Sequence, residues 1–357
     1  MIWVILILTA VLLAVLEKIW APKALKSMHF SGDISKVLAE PDEPLNWQAT
    51  VENHSRLPIP FVRLQGSFPV YAKAQGDPRW IRAHCREGFQ QWYVEERMSL
   101  LPWQACTRSV RFSVSQRGVY KVGAFRLSAG DLLGLKEQSK EGPGQELVVI
   151  PPKAQSRNSL AAFGGFLGDI SVRRFILEDP ILTVGFRDYT GREPLKAVSW
   201  TRTAVAGSMQ VKQFDHTAEQ TVMVLLDVEG GSPEELEACF SLMRMVCEEL
   251  DQKKIPYGLR TNGNLQGPVG KLFYLADGLG ASHLNTILYG LGRADYTCFY
   301  SLRYLVQQTL SHRRNNESYI VITPKRDNRV SSLLKKLETL TSNPVCILYG
   351  EEETEGQ

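Results

Sequence analysis

Residue types able to do chemistry are spread thinly through these 357 residues, and few stand at working spacings. The six cysteines, Cys85, Cys106, Cys239, Cys247, Cys298 and Cys346, form no Cys-x-x-Cys pair. They read as free thiols of a reducing compartment, not as a disulfide framework. The six histidines are equally dispersed, with no His-Glu-x-x-His and no Cys/His cluster at zinc spacing. No Gly-x-Ser-x-Gly elbow, P-loop or Gly-x-Gly-x-x-Gly fingerprint occurs, and Ala206-Gly207-Ser208-Met209 is only a superficial likeness of a nucleophile turn. A net charge of +3, from 41 basic and 38 acidic residues, excludes a nucleic-acid footprint, which needs a strongly basic face. The clusters His312-Arg313-Arg314 and Lys325-Arg326 read as a solvated face, and Glu351-Glu352-Glu353-Thr354-Glu355 as a disordered like-charge tail. None of this supports an enzyme.

The one acid placed where a fold could use it is Asp227. It ends the apolar run Thr221–Leu226, which reads as a buried parallel strand. Gly230-Gly231 turns the chain, and Ser232-Pro233-Glu234-Glu235 carries a cap, a first-turn proline and a capping box for a helix. That helix puts Leu236, Cys239, Phe240, Met243, Val246, Cys247 and Leu250 on one face, so its two cysteines fill core. Strands over 255–260, 318–323 and 344–349 alternate with helices over 284–291, 302–310 and 330–340, which implies a doubly wound sheet.

Residues 28–150 read differently. Leu45–Val51 and Arg108–Val114 alternate apolar with polar residues, and Val119–Gly123 and Glu146–Ile150 are further short strands. Their spacing favours an antiparallel sandwich. Ahead of them, Ile2–Leu16 is free of charge. With Glu17 to Trp20 it is just long enough for a transmembrane helix, about 1.5 Å per residue against a core of about 30 Å. A signal peptide would need a basic leader and a small-x-small cleavage site, and neither is present. Lys18, Lys23 and Lys26 follow the span, which orients a single-pass cell-membrane protein with its N-terminus outside and its bulk in the cytoplasm.

The most distinctive run is Phe186-Arg187-Asp188-Tyr189-Thr190-Gly191-Arg192-Glu193-Pro194, continuing through Val198-Ser199-Trp200 to Val211-Lys212-Gln213-Phe214. Physically it offers a turn at Gly191, a buried-looking Trp200 and a strand over 209–214. Arg187, Tyr189, Gly191, Pro194, Trp200, Lys212 and Phe214 are similar to the signature of the "domain of unknown function 58" family, along the whole chain. Asn53-His54-Ser55-Arg56-Leu57-Pro58 and Arg117-Gly118-Val119-Tyr120 also resemble phrases of that family. The chain departs from it in showing one span where two are usual, and in Arg192, where an acid usually follows the glycine; Glu193 is the available substitute. The signature is read as a structural connector.

The resemblance implies a von Willebrand factor A-like fold for the C-terminal part and co-operation with a MoxR-type AAA+ ATPase. That fold holds magnesium on Asp-x-Ser-x-Ser. Here the stretch is Asp227-Val228-Glu229-Gly230-Gly231, with both serines replaced, so Asp227 and Glu229 form at most a degenerate metal site. The preferred reading has no cofactor, with Asp227 capping the following turn or helix. The expected fold class is α+β: a transmembrane anchor over 1–22, a β-sandwich-like domain over 28–150, a linker and signature segment over 151–218, a von Willebrand factor A-like α/β domain over 219–350 and an acidic tail over 351–357. The expected function is that of a membrane-anchored, non-catalytic protein-binding adaptor or assembly factor. A membrane-bound hydrolase with an unrecognised site and a purely structural envelope component are the alternatives.

Overall fold

The computed structural model describes residue 3 and residues 25–75, 91–130, 137–154, 157–174, 183–191, 193–214, 220–267, 270–314, 316–326, 328–340 and 344–350. The chain divides into two units, Met1–Pro152 and Lys153–Gln357.

The first unit is built mainly of β-strands over its described residues. Its strands are β1 (Met28–Ile34), β2 (Leu38–Ala39), β3 (Leu45–Asn53), β4 (Ile59–Pro69), β5 (Ala72–Gln75), β6 (Gln91–Leu100), β7 (Ala105–Val114), β8 (Gly118–Val122), β9 (Ala124–Gly130), β10 (Glu137–Gly142) and β11 (Gln145–Val149). They form two four-stranded antiparallel sheets, ordered β1-β3-β7-β5 and β10-β9-β4-β6, and a small sheet β2-β11-β8. In β3 the inward positions Leu45, Trp47, Ala49 and Val51 are buried and alternate with more exposed ones, the period of two that a one-sided sheet requires. One core joins them to Leu64 and Phe68 of β4, Val94 of β6 and Phe112 of β7. Trp47 lies flat against bare backbone: a Cβ on Gly123, which has φ +72°, would sit 2.2 Å from its indole nitrogen. That position has to be glycine for both reasons.

The second unit opens with α1 (Arg157–Arg174), which buries Phe163, Phe166 and Ile170 and packs against the last strand of the unit. A two-stranded piece follows, β12 (Thr183–Asp188) with β13 (Gln210–Phe214), carrying a 3-10 turn at Leu195–Ala197 and α2 (Trp200–Ala206) between its strands. Then come β14 (Thr221–Leu226), α3 (Pro233–Gln252), β15 (Tyr257–Thr261), the small pair β16 (Gln266–Gly267) and β17 (Gly270–Lys271), and β18 (Tyr274–Gly278). α4 (Ala281–Gly292), α5 (Leu302–Ser311), β19 (Glu317–Thr323), α6 (Asn328–Leu340) and β20 (Val345–Tyr349) complete it. The main sheet is ordered β18-β15-β14-β19-β20, with β18 antiparallel and the other four parallel. One face carries Met223, Leu225, Tyr319 and Val321 against Leu302, Leu305 and Val306 of α5 and Leu337 of α6. α3 packs on β14, β15 and β19. It is capped as its sequence dictates: Glu235 N–H donates to Ser232 Oγ at 3.3 Å, and Ser232 N–H to Glu235 Oε2 at 2.7 Å.

The expected fold class is corrected in two respects. Among the described residues no helix is long and apolar enough to cross a membrane, so the transmembrane helix, the single-pass placement and the membrane description built on it are withdrawn. Residues 1–22, where that helix was expected, lie outside the described residues except Trp3. The two longest described helices fail as spans for a plain reason: α1 carries Arg157, Asp169, Arg173 and Arg174, and α3 carries charge along its outer face. The von Willebrand factor A-like domain is withdrawn as well. Strand outweighs helix over the described residues, and β15 is followed by a hairpin and an antiparallel edge strand instead of a crossover helix. Those short strands interrupt the strict alternation the sequence suggested. β16 and β17 are two residues each, Gln-Gly and Gly-Lys, too short and polar to be read as strands from sequence.

Candidate functional site

The order of the main sheet creates one special edge. From β14 the chain passes to β15 on one side, and later returns to place β19 on the other. Connections that leave a strand in opposite directions open a crevice at the carboxyl ends of the parallel strands. Asp227 stands there, directly after β14, and Thr323 ends β19 beside it.

Asp227 is 1 % exposed and its carboxylate accepts three hydrogen bonds. Asn262 Nδ2 donates to Oδ1 at 2.6 Å, the Glu229 backbone N–H donates to the same oxygen at 3.0 Å, and Thr323 Oγ1 donates to Oδ2 at 2.9 Å. Asn262 follows the end of β15, and its Oδ1 accepts from the Val228 backbone at 2.9 Å. One carboxylate therefore ties together the ends of three adjacent parallel strands. Burial pushes its pKa above the ordinary value, although each of the three donors pulls the other way. Glu229 turns aside, and its Oε2 accepts the backbone N–H of Leu302 at 2.7 Å, which holds the first turn of α5. Gly230, with φ +68°, makes the turn that brings the chain back to α3.

These groups do not fit a hard divalent cation. Both Asp227 oxygens face N–H or O–H donors, where an ion would need further acceptors, and one Glu229 oxygen is taken by the Leu302 amide. Among the described residues, no three His, Cys, Asp or Glu side chains converge on a common point. Asp227 caps the turn through the Glu229 amide, while the cap of α3 is Ser232.

Over this crevice lies a cleft of about 660 Å³. Asp227, Glu229, Gly230 and Thr323 line its floor, Leu302 and Leu333 also line it, and Arg303, Lys325 and Lys336 bring positive charge to it. The lining includes no histidine or cysteine, and the hydroxyl of Thr323 is spent on Asp227. Such a cleft can bind by shape and charge.

The residues of the connector signature gather elsewhere, around β12 and β13. Arg187 Nη1 pairs with Glu193 Oε1 at 2.6 Å, and Glu193 also accepts from the Thr190 hydroxyl at 2.7 Å and its amide at 3.1 Å. Led by the Thr190 hydroxyl, these donors pull the Glu193 carboxyl down to about 2. Gly191 takes φ +88° inside this loop, the Tyr189 N–H donates to Met209 O at 2.8 Å, and Pro194 leads into the 3-10 turn. Arg192 lies outside the described residues. Lys212 stands opposite Phe186 and is exposed, and Phe214 ends β13 opposite Thr183. Trp200 corrects the expectation of a buried ring: it is 63 % exposed on α2, with Val205 at 81 % and Leu195 at 61 % nearby in sequence. Apolar type alone predicted the interior, but α2 is seven residues long and buries none of them. Among the described residues no hydrogen bond or ion pair joins this loop to Asp227.

Asn262, Thr323, Arg303 and Lys336 were not singled out from sequence. A usable signal existed for Thr323, the polar residue that closes the apolar run Tyr319–Ile322 as Asp227 closes its own, whereas Asn262 follows the mixed Leu259-Arg260-Thr261 and gave none. Arg303 and Lys336 gave none, because exposed helical cations are ordinary.

No family model and no curated protein matches the chain. Among solved structures it is similar to the CARDB domain of a Pyrococcus furiosus protein, at 12 % identity over 35 % of this chain and 90 % of that one, with a TM-score of 0.23. It is similar to the cupredoxin domain of amoB from Nitrosocaldus yellowstonii at 10 % identity, over 38 % and 97 % of the two chains, TM-score 0.23. For Spo0M, a sporulation control protein of Bacillus subtilis, the values are 16 %, 46 %, 58 % and 0.21. Likenesses this faint carry no argument, and the comparisons give the von Willebrand factor A-like and MoxR-associated descriptions no support.

Proposed function

We propose that this chain is a non-catalytic protein-binding module, an adaptor or assembly factor, and that it binds at the crevice over the carboxyl edge of its parallel strands. The observation that carries the reading is the cleft over Asp227. Asp227 and Thr323 on its floor are hydrogen-bonded to each other and Glu229 to the Leu302 amide, which favours a surface that binds by shape and charge. A site at a topological switch point is where open α/β sheets place their ligands. The resemblance set out from the sequence makes a MoxR-type AAA+ ATPase the first partner to test.

The experiment places a photo-crosslinking amino acid at the exposed Ser332, on the α6 side of the cleft, and irradiates the full chain with candidate partners. An adduct with an AAA+ ATPase, formed at Ser332 and absent from a control position on the exposed face of β1, is the expected result. Two outcomes overturn the reading: no protein adduct at Ser332, or turnover by the purified chain on a hydrolase panel that Thr323→Val abolishes.

A further inference from the structure

Inside the first unit, two charged residues stand where the period of two calls for apolar ones. β3 and β7 pair Trp47 with Val110 and Ala49 with Arg108, so Arg108 shares the inward face of its sheet with the buried Trp47. On the other sheet, β4 and β6 pair Gly66 with Val94 and Leu64 with Glu96, and Glu96 is 6 % exposed. Arg108 Nε donates to Glu96 Oε1 from one sheet to the other, and Arg108 Nη1 donates to Thr107 O at 3.2 Å. Among the described residues no hydrogen bond reaches Glu96 Oε2. Burial pushes the Glu96 carboxyl above its ordinary value in spite of Arg108, so one guanidinium does not make up for the water it has lost. Apolar residues of similar size often replace such a pair at no cost in stability. Packing therefore does not account for it, and residues that break a local rule without a local gain are where function is to be sought. These two sets of residues, Ala49 apart, line a cavity of about 440 Å³. The Arg108 side chain is 42 % exposed and that of Glu96 7 %, which puts the arginine at the mouth and the acid at the inner end. Gly66 fixes one wall, since a Cβ there would come within 2.6 Å of the Trp47 ring.

We infer that this inter-sheet cavity binds a small, uncharged, mostly apolar molecule with one O–H or N–H donor, which Glu96 Oε2 accepts. The site lies within the first unit and is independent of the protein-binding reading above. The charge of the occupant follows from the pair: Glu96 and Arg108 already neutralise each other, so a ligand charge of either sign would enter a partly dry space without a counter-ion. Its size follows from the sheets. Stacked sheets lie about 10 Å apart, which admits a flat ring system and excludes a folded partner. The volume falls within the range of about 300–1,000 Å³ usual for small-molecule sites. Trp47 supplies aromatic surface, and Leu64, Val94 and Val110 supply aliphatic walls.

The test titrates the full chain by calorimetry with probes that share one ring system: 2-naphthol, which carries the donor, 2-methoxynaphthalene, which lacks it, and the 2-naphthoate anion. 2-Naphthol should bind, and 2-methoxynaphthalene should bind about tenfold more weakly, the loss expected for one hydrogen bond to a charged group. Val110→Trp should abolish binding by filling the cavity, at an unchanged urea midpoint. Glu96→Leu/Arg108→Leu keeps an apolar interior and should bind the two neutral probes equally. No binding of 2-naphthol by the unsubstituted chain overturns the inference, as does equal binding of the two neutral probes or tighter binding of 2-naphthoate. Undiminished binding by Val110→Trp also overturns it. If that substitution lowers the urea midpoint, the double substitution decides: a surviving preference for 2-naphthol overturns the inference, and its loss supports it.

Discussion

Asp227 shows how a residue that invites a metal or an acid–base role can be structural. Its two oxygens hold donors from β14's own turn, from the residue after β15 and from the end of β19, so removing it strands polar groups in the interior. Asp227→Ala should cost about 2–3 kcal/mol, the penalty for leaving buried donors such as Asn262 Nδ2 unpaired, read as a lower urea midpoint at unchanged slope. Asp227→Asn keeps the oxygen that accepts two of the three bonds, and the Thr323 hydroxyl can turn to accept from the new amide, so it should cost far less. The pH dependence has a definite sign. Burial raises the folded-state carboxyl above its ordinary 3.8, so the folded chain holds this proton more tightly than the unfolded chain. The Asp227 contribution to stability therefore falls as pH rises from about 3.8 through the raised folded value, and Asp227→Asn should remove that component from the stability profile. Glu193 has the opposite sense: pulled down to about 2, it contributes above its ordinary 4.5 and loses that contribution as pH falls toward 2.

Among the elements, α3 and α1 mark the limits of reading helices from sequence. In α3, cap, proline, acidic first turn and apolar face all agree, and each was visible in the order of residues. Its cysteines are core: Cys239 and Cys247 are fully buried, and burial pushes both thiols far up. Residues 157–174 read instead as a polar, glycine-rich link, because Gly164, Gly165 and Gly168 signal a breaker. They are helical, with Phe163, Phe166 and Ile170 buried along one stripe. A stripe against β20 outweighs weak intrinsic propensity. A Cβ added at Gly164 or Gly165 would meet nothing within 4 Å. Each glycine-to-alanine change should therefore stabilise the second unit by about 0.5–1 kcal/mol, seen as a higher denaturation midpoint. A loss of stability at either would mean that α1 is not a regular helix there.

For the whole molecule, each unit has a core of its own. The apolar cluster around Trp47, Phe68 and Phe112 draws only on residues of the first unit, and that around Leu225, Leu305 and Val321 only on the second. A fragment covering residues 25–152 should then unfold in urea as one cooperative transition. A broad, sloping profile with no defined midpoint would show that this core is insufficient by itself. The sequence alone determined the local items: the period of two in β3, the apolar run and capping box around β14 and α3, and the absence of any recognised catalytic motif. These depend on neighbours a few residues apart, and short-range order is written directly in the chain. Only the tertiary structure decided which polar residues meet. Asn262 and Thr323 lie 35 and 96 positions from Asp227, and sheet order alone brings the ends of their strands together. Equally, no local pattern distinguishes Trp200 on an exposed seven-residue helix from a tryptophan in a core, since burial is decided by what packs on the residue, and that is supplied by distant parts of the chain.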